Sequence, residues 1–350
     1  MFVGVDVHKH SLCVCYYRSA KQYRYQSYPF TEQGFQAFLD SLTRRDEVAI
    51  ESVTQAYYLI EQLTPRVKRA VVVNTFAFDL IRRSRAKTDE KDAFHLAQQL
   101  SYGHLPEVHL PERTIRDLRV YQNARVALVE ERTRLKNRIH AAFLMHGVVT
   151  ARKHLSSRKG REMMRRESST YAGYPELELV ALHLDRIDQV EEQMGAIERK
   201  MFELGSHLPD LPVLLQVGGI SPLLAITILA EVGDFRRFPR SSKVASYAGL
   251  VPSTRSSAGR AKSGRCGYGR KRLRTAMVQA VRSLTVHEPE NPLAQHYQIL
   301  KARRGAGRAT IAVARKLLEI LWIMVTTEVP YRQLVPSLYE TKLRSFKTAA

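Results

Sequence analysis

The first seventy-five residues alternate short β-branched runs with turn residues. Phe2–Val7 is apolar apart from Gly4 and Asp6, and Ser11–Tyr17 and Gln22–Tyr28 follow after brief breaks. Three such runs joined by short turns predict a meander of adjacent strands. The period then changes. Thr31 precedes Phe35, Phe38, Leu39 and Leu42, which recur at helical spacing, so Thr31 reads as a helix N-cap. Glu47–Glu51 reads as a strand, Tyr57–Leu63 as a helix and Ala70–Val73 as a strand. The order β-β-β-α-β-α-β predicts a mixed sheet with helices on its faces.

Beyond this the pattern is helical. Lys87–Ala93 opens a helix with Thr88 as its N-cap. Leu118, Tyr121, Leu128, Leu135, Ile139 and Ala142 fall near heptad positions and predict one long helix over 112–146. Residues 151–170 are basic and polar and predict a flexible connector. Ile187, Val190, Met194, Ile197, Met201 and Leu204 are spaced 3-4-3-4-3, a coiled-coil seam. The seam closes either on a second helix of the same chain or on a second copy, and the pattern does not choose between them. Leu211–Val217, the turn Gly218-Gly219-Ile220-Ser221-Pro222 and Leu223–Val232 form a helix-hairpin-helix pattern. Ser221 is a natural N-cap and Pro222 a natural first-turn residue. Such a hairpin at Gly218, Gly219 and Ser221 presents backbone N–H groups to a phosphate, with an ordinary corner between helices as the alternative. Residues 252–275 predict a loop of Ser, Gly and Arg, and helices follow over 270–284 and 308–328. The chain thus divides into a sheet domain (1–110), a helical arm (111–205), a mostly helical domain (206–330) and a basic, fraying tail (331–350).

Charge gives this layout a direction. The 350 residues include 55 Lys and Arg against 34 Asp and Glu, a net charge of +21. Residues 1–105 carry +3, residues 106–210 carry +2 and residues 211–350 carry +16. An excess so concentrated points to a polyanionic partner, most commonly nucleic acid. Arg255, Arg260, Arg265, Arg270, Lys271, Arg272 and Arg274 are the candidate contacts. A membrane anchor would need an apolar face beside its charges, and these are interleaved with Ser and Gly. The most apolar stretch, Ile311–Val325, is too short and, with Arg315, Lys316 and Glu319, too charged to span a bilayer. A hydrophobic content of 44% with 25% charged residues excludes wholesale disorder. Three cysteines give no disulfide framework, and the N-terminus lacks a signal-peptide pattern, so a cytoplasmic protein is expected. There is no phosphate-binding G-x-x-x-x-G-K-S/T, no dinucleotide fingerprint and no zinc spacing.

The residues that carry chemistry are Asp6, Glu51, Asp89 and Asp92. Asp6 interrupts the apolar run Val3, Val5, Val7, where a carboxylate is costly unless paired or metal-bound. Glu51 ends a strand of the same domain, and Asp89 and Asp92, three apart, share one helix face. If that helix packs beside the ends of the first and fourth strands, four carboxylates converge, and only cations stabilise such a cluster. Oxygen ligands without His or Cys favour Mg²⁺ or Mn²⁺, and pairs of such ions serve phosphodiester chemistry.

Gly4-Val5-Asp6-Val7-His8-Lys9 resembles the opening G-I/V-D-x-x-K of the DEDD transposases of the insertion-sequence-110 family, to which the Piv-type DNA invertases are related. Lys87-Thr88-Asp89-Glu90-Lys91-Asp92-Ala93 matches the family's K-T-D-x-x-D-A at every fixed position. Ala248-Gly249-Leu250-Val251-Pro252 and Leu273-Arg274 match its C-terminal block. The resemblance covers essentially the whole chain. It implies a RuvC-like, RNase H-type domain bearing the four acids, a helical arm, and a C-terminal domain supplying a nucleophilic serine. By position that serine is Ser257, with the adjacent Ser256 as the alternative. The resemblance further implies Mg²⁺ or Mn²⁺, DNA and a structured bridge RNA as partners, and a homodimer or homotetramer. The reaction it implies is DNA cutting and rejoining through a phosphoserine. A junction nuclease of RuvC type and a Piv-like invertase remain alternatives. The sequence departs from the pattern at Glu51-Ser52-Val53-Thr54-Gln55-Ala56-Tyr57, one residue longer than E-A/S-T-G-x-Y. It departs again at Ala258, where the family has Gly, and at Gly267, where it has Lys.

Overall fold

A computed structural model describes residues 1–74, 88–171, 173–252, 254–257, 260–263, 266 and 268–349, with 254–257 and 260–263 described as backbone. The chain forms two compact units, Met1–Leu110 and Pro111–Ala350.

In the first unit the strands are β1 (Phe2–Val7), β2 (Ser11–Ser19), β3 (Gln22–Pro29), β4 (Glu47–Glu51) and β5 (Arg69–Val73), in the sheet order β3-β2-β1-β4-β5. β1, β2 and β3 are antiparallel neighbours, while β1, β4 and β5 run parallel. The β-β-β-α-β-α-β order holds, and this five-stranded mixed sheet is consistent with the RuvC-like expectation. Helices α1 (Glu32–Asp40) and α2 (Ala56–Leu63) cover one face, burying Val3, Val5, Val14, Phe38 and Leu59. Thr31 caps α1, its hydroxyl accepting from the Gly34 N–H at 3.2 Å.

The other face takes α3 (Asp89–Tyr102), packed on Ala49, Cys13, Cys15 and Tyr17. Gly4 makes this approach possible. A Cβ there would overlap the Ala93 carbonyl oxygen and lie 2.6 Å from the Ala97 nitrogen. Backbone thus meets backbone where β1 and α3 cross, which sets how closely Asp89 approaches Asp6.

The second unit begins with α4 (Arg113–Met145) and α6 (Pro175–Gly205), which run antiparallel. Arg125–Glu198 at 2.6 Å, Arg186–Glu131 at 2.7 Å and Arg132–Glu191 at 3.4 Å tie them together. Leu135, Ile139 and Phe143 of α4 pack with Val180, Leu184 and Ile187 of α6. The predicted long helices are present, and the seam packs against a helix of its own chain. Residues 151–170 are not a connector. A 3-10 turn (Arg152–Ser156) and α5 (Arg158–Ser169) fold onto the hairpin, fully burying Leu155 and Met164. Two apolar side chains are too few to mark a helix, and α5 is held instead by buried Arg161, paired with Asp188 at 2.9 Å and Glu191 at 3.0 Å.

The remaining helices are α7 (Leu211–Leu215), α8 (Pro222–Val232), α9 (Ser241–Tyr247), α10 (Lys271–His287), α11 (Pro292–Arg304), α12 (Ala306–Thr327) and α13 (Pro336–Ala349). Ile226, Leu229, Phe235, Leu273, Met277, Leu317 and Leu321 lie in their shared core. Between α9 and α10, where the sequence suggested only loop, β6 (Thr254–Ser257) and β7 (Arg260–Ser263) pair as an antiparallel hairpin. The chain after Pro330 does not fray as expected. Tyr331 and Phe346 are buried, and Lys342 in α13 inserts its ammonium among the carbonyls of Leu215, Val217 and Gly218. Among the described residues, no helix is long and apolar enough to cross a membrane.

Candidate functional site

Asp6 and Gly4 are two apart on β1 and therefore share the sheet face that α3 covers. Asp89 is the first residue of α3, fixed there by Thr88, whose hydroxyl accepts from the Lys91 N–H at 3.3 Å. His8, two residues beyond Asp6, joins them. Its Nε2 lies 3.1 Å from Asp6 Oδ2 and 3.1 Å from Asp89 Oδ2. Ligand atoms of all three residues fall within 4.8 Å of one another. Asp6 is buried while His8 and Asp89 are open to solvent. Burial raises the Asp6 pKa above its usual range. The negative charges of Asp89 and Asp92 push it the same way, and His8 opposes them. This crowding of carboxylates around one imidazole is the electrostatic setting that a divalent cation relieves, and the donor set fits one.

Asp92 is buried one turn along α3. Glu51 closes β4, the parallel neighbour of β1 in the register Val5↔Ile50, and is half-buried. Neither belongs to the tight Asp6–His8–Asp89 group. The sequence reading counted only oxygen donors here. The signal it passed over was spacing: His8 stands two residues after Asp6, immediately beyond the last residue of β1. Behind the site, Cys13 pairs with Asp6 across the sheet, and burial with the charges of Asp6, Asp89 and Glu90 pushes its thiol up to about 11. Burial likewise takes Cys15 to about 12.

In the second unit, β6 carries Arg255, Ser256 and Ser257, and Ser257 is in register with Arg260 of β7. Arg265 lies outside the described residues. Two glycines close the neck of this excursion. Gly249 (φ +69°) and Gly269 (φ +135°) adopt backbone that disfavours side chains, and a Cβ on Gly269 would lie 2.6 Å from Gly249 Cα. Three of the basic residues that follow work inside the protein. Arg270 pairs with buried Glu231 at 3.1 Å, Arg272 donates to Asn123 Oδ1, and Arg274 donates to the Gly249 carbonyl at 3.4 Å. Lys271 is exposed.

The glycine turn after α7 is also engaged. A Cβ on Gly218 would overlap the Glu288 carboxylate, and one on Gly219 would lie 2.8 Å from Leu284 Cβ of α10. Gly219 is buried, whereas Ser221 is exposed and caps α8, accepting from the Leu224 N–H at 3.3 Å. The small residues of this turn therefore serve packing against α10, a role the sequence pattern does not separate from phosphate binding.

Comparison with known proteins gives a consistent outcome. Residues 3–146 match the DEDD family of IS110 type, described as a transposase, and residues 211–298 match the transposase IS116/IS110/IS902 family. The chain is 28% identical over 253 residues to the transposase for insertion sequence element IS1111A of Coxiella burnetii, covering 70% of this chain and 68% of that one. It is 23% identical over 336 residues to a probable family 20 transposase of Pseudomonas aeruginosa, with 94% of each chain covered. It is 26% identical over 295 residues to the transposase for insertion sequence element IS1328 of Yersinia enterocolitica, covering 80% and 83%.

Proposed function

The chain belongs to the IS110 family of transposases, and on that footing we propose that it cuts and rejoins DNA through a covalent bond to Ser257, with divalent metal at its acidic residues. The observation that carries the metal half of this reading is the approach of Asp6 and Asp89 to one histidine nitrogen, with Asp92 adding its charge. Asp6, Glu51, Asp89 and Asp92 would hold Mg²⁺ or Mn²⁺, which when bound supplies electrophilic stabilisation of a phosphate oxygen. β1 and the capped end of α3 fix their carboxylates before substrate arrives, which is the preorganisation such chemistry requires.

Ser257 supplies the nucleophile. Its Oγ–H bond gives way to an Oγ–P bond as one P–O bond of the DNA breaks and a DNA hydroxyl leaves. Attack by a different DNA hydroxyl reverses the step, rejoins the strand and returns the serine. Arg255, Arg260 and Arg265 flank this serine in sequence and neutralise phosphate charge. The +16 of residues 211–350 gives this half its grip on nucleic acid backbone, and a structured RNA encoded beside the gene guides it. The same reading has the chain act as a homodimer or homotetramer.

The test is to trap the adduct. Wild-type protein with its DNA and Mg²⁺ should yield a covalent protein–DNA species that Ser257→Ala lacks and Ser256→Ala retains. Full recombination by Ser257→Ala, together with no adduct in the wild type, overturns the serine mechanism. Hydrolysed product without an adduct marks a nuclease instead.

A further inference from the structure

We propose that His8 is a further protein ligand of the ion at Asp6 and Asp89, and that its nitrogen makes this a site that favours Mn²⁺ over Mg²⁺. The inference rests on the metal reading above and concerns which ion the site prefers and through which atoms.

The geometry is specific. Two ligands at right angles on an octahedral Mg²⁺, each about 2.0 to 2.1 Å from it, lie about 2.8 to 3.0 Å apart. His8 Nε2 stands at 3.1 Å from one oxygen of Asp6 and at 3.1 Å from one oxygen of Asp89. Both distances bring the imidazole nitrogen close enough to each carboxylate for the three side chains to hold one ion between them. The backbone sets this up without strain. Asp6 lies in β1, His8 follows directly after the strand ends, and Thr88 caps α3 so that Asp89 meets them. The acidic quartet alone is a set of hard oxygen donors suited to Mg²⁺. Imidazole suits transition ions, and Mg²⁺ keeps to oxygen and water. Exchanging one oxygen donor for His8 Nε2 therefore shifts preference toward Mn²⁺ while leaving both ions able to bind.

The experiment uses the full-length chain loaded with Mn²⁺ and read by pulsed electron paramagnetic resonance. Wild type should show nuclear modulation from a directly bound imidazole ¹⁴N, and His8→Ala and His8→Gln should bind Mn²⁺ without it. Competition titration should show the preference for Mn²⁺ over Mg²⁺ falling about tenfold in both variants. Wild-type Mn²⁺ spectra without nitrogen modulation, or modulation that persists in His8→Ala, overturn the assignment of His8 and leave the acidic site standing. Asp6→Asn separates the two readings. If it binds Mn²⁺ as tightly as wild type, the metal reading of the acids itself fails.

Discussion

The ammonium of Lys342 lies 2.6 Å from the carbonyl oxygen of Val217, 125 residues earlier in the chain. The same nitrogen reaches the Gly218 carbonyl at 2.9 Å, so α13 is tied to the end of α7 and the glycine turn. Burial lowers its pKa to about 8. An unfolded lysine titrates near 10.4, so between these values the unfolded chain holds the extra proton and stability rises with pH. Lys342→Met leaves the carbonyls without their shared donor and should lower unfolding free energy by about 2 kcal/mol at pH 7. Urea titrations from pH 7 to 10 should show the gap to wild type widening above pH 8. A gap that narrows over that range counts against this account.

Gly4→Ala tests the crossing of β1 and α3. The added methyl meets main-chain atoms of Ala93 and Ala97, which cannot rotate away. A loss of about 3 kcal/mol is expected from such overpacking. Hydrogen exchange should show faster amide exchange along Asp89–Tyr102, with the second unit unaffected.

The neck of the serine hairpin should be as sensitive as the serine. Gly249 has φ +69°, and a Cβ there would lie 2.8 Å from Arg274 Nη1. Gly249→Ala should reduce DNA strand transfer at least tenfold, with a far-ultraviolet circular dichroism spectrum like that of wild type. Activity within twofold of wild type would detach the neck from function.

Salt dependence separates Lys271 from its neighbour. An exposed Lys that neutralises a phosphate contributes about one unit to the slope of log affinity against log salt. Lys271→Ala should reduce that slope by about one. Arg270→Ala should leave it nearly unchanged, because Arg270 already pairs with Glu231. Equal changes for both would place Arg270 on the DNA.

Arg161 pins α5 to α6 through Asp188 and Glu191. Its partners are partly exposed and can regain water once it is gone, so Arg161→Leu should cost about 1 to 2 kcal/mol rather than the larger loss of a fully buried pair. Thermal melting checks this directly.

The legible parts of this molecule are those with a period or a cap. Short apolar, β-branched runs marked β1, β2 and β4, Thr31 and Thr88 marked the helix starts, and the 3-4 spacing marked α6. That α4 is its partner was not legible, because a seam states what it buries and not against whom. α5 escaped because Arg161 does the anchoring that an apolar stripe would otherwise advertise. The glycines of the 218–219 turn fit two roles equally, since the absence of a side chain serves a phosphate or a neighbouring helix alike. Asp6 stood out as an acid in a costly place, and Asp89 by its spacing from Asp92 on one helix face. His8 did not, because a histidine at an exposed strand end is unremarkable until Asp89 arrives from elsewhere in the chain.

Cys13 and Cys15 are buried, and their thiols stay protonated far above neutral pH. Cys266, the remaining cysteine, is half-exposed in the segment between β7 and α10. Since alkylation proceeds through an accessible thiolate, a maleimide dye at pH 7 should attach at Cys266 first. The wild-type chain therefore carries a built-in handle for a fluorescent reporter, a few residues from the serine hairpin, with no cysteine to be added or removed.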